Sequence, residues 1–146
     1  MNKGTTKRVI LAGAMVLIGI AAVARADDDE RTCSVATLRG SYLFAASGYN
    51  IVGGTAQPKA VVEVIRFDGN GSLTVPAVTV SVNGAIVHPP PNGTGTYTVA
   101  PDCSGTLLFA TGTAFDLFLA PGAREFTMIQ TNPLTVLQGK VVKLAR

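Results

Sequence analysis

Few side chains in this sequence are equipped for chemistry, and their settings decide what each can do. His88 is the only histidine, and it runs straight into Pro89, Pro90 and Pro91. A Ser–His–Asp site needs a nucleophile held against the base and a third group to orient it. Ser104 lies in Asp-Cys-Ser-Gly rather than in a G-x-S-x-G elbow, so His88 reads as a loop residue. Asp68-Gly69-Asn70-Gly71-Ser72 has the look of the start of a calcium loop. It lacks the glycine at the sixth position and the bidentate glutamate at the twelfth, and it reads as a hairpin turn. Cys33 and Cys103 stand alone, without a C-x-x-C pair, so no metal site and no cofactor are expected.

The charges set inside apolar runs carry more information. Glu63 and Arg66 interrupt Val61 to Phe67, and Asp116 interrupts Phe115 to Leu119. A charge in such a strand either faces water or sits in a cavity with a partner. In the second arrangement, Glu63, Arg66 and Asp116 would orient the polar end of a small ligand. Tyr42, Phe44, Phe115 and Met128 would then build the apolar wall around it.

The start of the chain bears on where the protein works. Lys3, Lys7 and Arg8 precede an apolar run from Val9 to Val23, and Ala24-Arg25-Ala26 supplies small residues for cleavage. That is the pattern of a secretory leader, and the run is shorter than the roughly 20 residues of a spanning helix. Residues 1–26 are therefore expected to be a signal peptide and 27–146 one domain, secreted or periplasmic, with membrane contact only before cleavage. Removing the leader takes four of the 12 Lys and Arg residues and leaves eight against nine acids. The precursor's net charge of +3 thus belongs to the leader, and no basic surface for nucleic acid is expected. Asp27-Asp28-Asp29-Glu30 reads as a solvated end. Export also places both cysteines in an oxidising compartment. A Cys33–Cys103 disulfide is expected there, worth roughly 4 kcal/mol in the chain-entropy account for a loop of about 70 residues.

The rest reads as β structure. The expected strands are Gly40 to Ser47, Lys59 to Phe67, Ser72 to Ser81, Thr96 to Val99, Thr106 to Ala110, Thr113 to Leu119, Glu125 to Gln130 and Leu134 to Leu144. Alternating or β-branched runs define them, and Asp-Gly, Asn-Gly, Pro-Gly and Asn-Pro pairs punctuate them. Thr32 to Leu38 fits either one helical turn or a strand lead-in, and Gly48 to Gly54 reads as a loop. Pro76 marks an edge or a bulge, and the prolines after His88 exclude a ladder strand. Short sequential links favour an all-β, eight-stranded antiparallel meander closed into a small barrel. A β-sandwich is the alternative.

Three motifs carry a resemblance over nearly all of 27–146. They are Cys33, Thr37, Leu38, Gly40 and Tyr42; Phe67, Asp68, Gly69 and Gly71; and Gly95 to Val99 with Asp102 to Thr106. Together they resemble a group of small exported bacterial β-barrel proteins, similar more widely to the allene oxide cyclase barrel and, more loosely, to lipocalins. The resemblance implies a fold. No catalytic motif of the cyclases falls on this sequence, so no catalytic residue is carried over.

The expected function is binding of a small apolar or amphipathic ligand, without catalysis. One alternative is a solid interaction module working through loops such as Gly48 to Gly54 and His88 to Asn92. A second is a cyclase-like isomerase using Glu63 or Asp116 as acid or base. The oligomeric state is not legible in the sequence.

Overall fold

The computed structural model describes residues 32–145, so the expected signal peptide lies outside the described residues. Nine strands follow a short 3-10 turn at Val35–Thr37. They are β1 (Arg39–Val52), β2 (Thr55–Asp68), β3 (Ser72–Val82), β4 (Ala85–Val87), β5 (Gly93–Val99), β6 (Ser104–Phe109), β7 (Ala114–Leu119), β8 (Glu125–Gln130) and β9 (Thr135–Lys143). All pairings are antiparallel, and β9 pairs with β1 while β2 pairs with β3. Eight strands thereby close into a barrel, and β4 hangs on β3 as a short extra strand. The sandwich alternative is set aside by this closure.

Strand alternation puts Tyr42, Phe44 and Ala46 inside on β1, with Val61, Glu63, Ile65 and Phe67 inside on β2. On β7 and β8 the inward set is Phe115, Leu117, Leu119, Phe126 and Met128. One end of the barrel is packed solid. There Phe67 meets Tyr42, Tyr97 and Phe126 edge-on at centroid distances of 5.4, 4.9 and 6.2 Å. Such edge-to-face pairs suit the ring quadrupoles and exclude water.

The N-terminal segment caps this end. Leu38 is fully buried, Cys33 is bonded to Cys103 with Cα atoms 5.0 Å apart, and the Cys33 N–H donates to Pro101 O at 3.2 Å. Such a disulfide is compatible with an oxidising, extracytoplasmic compartment. Tyr97 joins three pieces of chain. Its hydroxyl accepts the Gly69 N–H at 3.0 Å and shares its own proton between Leu38 O at 2.9 Å and Val35 O at 3.0 Å. Beside it the β2–β3 turn is held by Asp68 Oδ1, which accepts the Asn70 and Ser72 N–H groups at 2.7 and 3.0 Å. Those bonds pull the Asp68 carboxyl below its usual range.

Several local readings are corrected by long-range pairing. Gly48 to Val52 continues β1 and is not a loop, because Gly48 to Val52 pair with β2 and Gly48 to Asn50 also pair with β9. The reversal is confined to Gly53-Gly54, both at positive φ, where glycine avoids the Cβ clash. Gly48 is also a close-approach site, since a Cβ there would collide with the Val136 carbonyl. β4 was not expected from the sequence. Pro76 does sit at a bulge: register with β2 shifts between Val64 and Arg66, opposite Thr74 to Ala77. From Pro76 to Thr79, β3 has no strand on its second side, since β5 pairs only through Val75 and β4 only from Val80. The His88–Asn92 segment runs along that interval, with Asn92 N–H donating to Val75 O at 2.8 Å and His88 Nδ1 3.3 Å from Thr79 Oγ1.

Two phenols at the closed end should respond oppositely to loss of the hydroxyl. Tyr97→Phe strands the Gly69 N–H and two carbonyls and should cost roughly 1–3 kcal/mol. The Tyr42 hydroxyl is buried without a well-formed hydrogen bond among the described residues, the Arg39 backbone giving it only a weak interaction, so Tyr42→Phe should leave stability unchanged or raise it. Urea denaturation of both variants checks the contrast. Replacing Cys33 and Cys103 together by Ala should lower the denaturation midpoint, by at most about 4 kcal/mol in free energy.

Candidate functional site

The other end of the barrel is not filled. Where the closed end is filled by rings, this half sets Val61, Val75, Val78 and Val80 beside an aromatic wall, and a cavity of about 490 Å³ opens among them. That volume lies within the roughly 300–1,000 Å³ of small-molecule sites. Phe44, Phe109 and Phe115 line one wall, with Phe115 edge-on to Phe44 at 5.7 Å and to Phe109 at 6.0 Å. Pro89 to Pro91 edge the opening.

Glu63 is the one buried charged residue among those described, at 8 % exposure. Its register neighbours are Phe44 on β1 and Val78 on β3, and it lines the cavity. Burial raises its carboxyl from 4.5 to about 7, opposed by the charge of Lys59. Lys59, four residues earlier on the same inward row, is drawn down by burial and held up by Glu63. Its Nζ lies 3.4 Å from Gln130 Oε1 at the rim. No cation lies within ion-pair distance of Glu63 among the described residues.

The seven side chains proposed from sequence separate in space. Phe44, Glu63 and Phe115 meet around the cavity. Tyr42 and Met128 are fully buried in the packed half and do not line it. Burial pushes the Tyr42 phenol up, the Arg39 backbone compensates only in part, and Lys143 Nζ lies 5.5 Å from its ring centre. Arg66 and Asp116 are exposed on the outer face. Arg66 lies in a larger outer groove of about 940 Å³, shared with Arg39, Asp68 and Lys143, which is a solvated surface and not a barrel interior. Lys59, Gln130, Val75, Val78 and Phe109 were missed. Lys59 was nevertheless findable, because it shares parity with Val61, Glu63 and Ile65.

Among the described residues, no three His, Cys, Asp or Glu side chains converge as a metal centre requires. The cavity offers chemistry of another kind: an apolar, aromatic-walled chamber with one carboxyl inside and one ammonium at its rim. Neither a family model, nor a curated protein, nor a solved structure matches this chain. The fold itself defines the class, a small closed eight-stranded antiparallel β-barrel.

The Glu63 carboxyl sets a measurable pH dependence. An unfolded chain ionises it near 4.5, whereas the folded chain holds the proton to about 7. Between those values the unfolded state binds fewer protons, so stability falls as pH rises and then levels off. That interval corresponds to roughly 3 kcal/mol. Glu63→Gln should therefore match the parent near about pH 4 and exceed it by roughly 2–3 kcal/mol at about pH 8. Urea midpoints of the two proteins at both pH values check this.

Proposed function

We propose that this chain is an exported binding barrel that takes up one small apolar or amphipathic molecule in the open half of its interior. The observation that carries this reading is the cavity of about 490 Å³, walled by aliphatic and aromatic side chains with a single carboxyl inside. Small-ligand sites have that composition: mostly apolar surface, with few polar groups to fix orientation. A solid interaction module would need a filled interior, and only the disulfide end is filled. Export accounts for the disulfide and for the leader-like first residues together.

The second reading is an allene oxide cyclase-like isomerase, and one observation favours it. A carboxyl held to about 7 inside a chamber is suited to proton transfer near neutral pH. Asp116 is exposed on the outer face and has no part in such a site, which leaves Glu63 as the only acid or base of this reading.

Titration with the neutral fluorophore N-phenyl-1-naphthylamine tests the binding reading. Saturable enhancement at one site per chain is expected. Val78→Trp, which projects an indole into the chamber beside Glu63, should weaken it by at least about tenfold while leaving the β-sheet circular dichroism intact. Absence of binding to the parent, or unchanged binding to Val78→Trp, overturns the proposal.

A further inference from the structure

The cavity holds an ionisable carboxyl with no cation in contact with it among the described residues. Glu63 faces it from β2, buried as a residue, with no hydrogen bond or ion pair to another described residue and with its carboxyl oxygens open to the chamber. Of the residues that line the chamber, only Lys59 and Glu63 are ionisable. The elements facing Glu63 contribute Phe44 from β1, Val78 from β3, Phe109 from β6, Phe115 from β7, Gln130 from β8 and Leu137 from β9, none of them titratable. Lys59 does not close the gap. Its Nζ lies 3.4 Å from Gln130 Oε1 and makes no ion pair with Glu63, though its charge acts on the carboxyl.

Resting on the binding reading above, we infer that the chamber selects amines: a molecule with an apolar or aromatic body and one ammonium group that seats against the Glu63 carboxylate. An ammonium arriving there supplies the missing charge and donates hydrogen bonds to oxygens that have none, in a setting where charge-assisted bonds are strong. The aromatic wall favours the same group. Phe44 lies directly across the β1–β2 register from Glu63, and Phe115 packs edge-on against Phe44, so aromatic rings line the chamber beside the carboxyl, and rings of this kind attract cations. A carboxylate-headed amphiphile meets Glu63 as a like charge and is disfavoured. An alcohol of the same length gains the apolar contacts but leaves the carboxyl uncompensated. The unliganded carboxyl holds its proton to about 7, so amine binding below that pH expels one proton from Glu63. Amine affinity then rises with pH and levels off above about 7, while alcohol affinity does not rise.

Displacement of N-phenyl-1-naphthylamine by decylamine, 1-decanol and decanoate, each below its micellar concentration, tests the inference. At about pH 8 decylamine should bind at least about tenfold more tightly than 1-decanol, with decanoate weakest. Glu63→Gln should erase the preference for decylamine while still binding the fluorophore and 1-decanol, which also shows that the variant is folded. Equal or tighter binding of 1-decanol by the parent, or an amine preference that survives Glu63→Gln, overturns the inference and leaves the binding reading standing. Failure of the parent to bind the fluorophore overturns both.

Discussion

Closure of eight strands fixes an interior only about wide enough for the side chains that point into it, and the rest of this structure depends on how that fixed volume is shared out. The inward rows are unequal. At the disulfide end they end in Tyr42, Phe67, Tyr97 and Phe126, which pack ring against ring. At the other end they end in valines and in Lys59 and Gln130, whose polar tips stay at the rim. The backbone cannot shrink to take up the difference without breaking ladders all the way round. An unfilled chamber is the result, and Glu63 sits inside it because its parity leaves it no other face.

The packed end is what makes an unfilled end affordable. Cys33–Cys103 and the Tyr97 hydroxyl both tie residues 33–38 across the base of the barrel, one covalently and one through two backbone carbonyls, and the same hydroxyl also accepts from the β2–β3 turn. With Leu38 buried beneath that segment, water is kept from the ring cluster. Stability and cavity are therefore segregated along the barrel axis. Large-to-small changes at Phe67 or Leu117 would fall on the packed half, whereas changes at Val78 or Phe109 alter the chamber.

Much of the fold was legible because the signals were local. Phe115, Leu117 and Leu119 alternate with polar or exposed positions, and the structure buries that row. Glu125–Gln130 is bounded as its pattern suggests, and Asp68-Gly69 makes the expected reversal. Gly48 to Val52 misled because its composition suits a loop, while partners on β2 and β9 supply the ladder that local preference lacks. β4 has three residues, too few for a period to show. The candidate site was half legible. A charge in a strand flags a question of facing, and for Glu63 the answer lies in the parity it shares with Ile65 and Phe67. Arg66, one residue further from that row, faces out for the same reason. The chamber itself has no local signature, because its volume is the sum of side chains contributed by many strands.

The stretch of β3 from Pro76 to Thr79, flanked by Pro89 to Pro91 instead of by a strand, has a consequence for the barrel wall. Prolines have no N–H to donate, so this flank cannot be zipped to β3 along the interval where Val78 looks into the interior. Everywhere else, parting the wall means breaking inter-strand hydrogen bonds. Here the flank is held only at its ends, by the Asn92 N–H donating to Val75 O and by His88 Nδ1 beside Thr79 Oγ1. The wall beside the chamber therefore has one interval that the sheet's own ladder does not close, and a proline strip covers it.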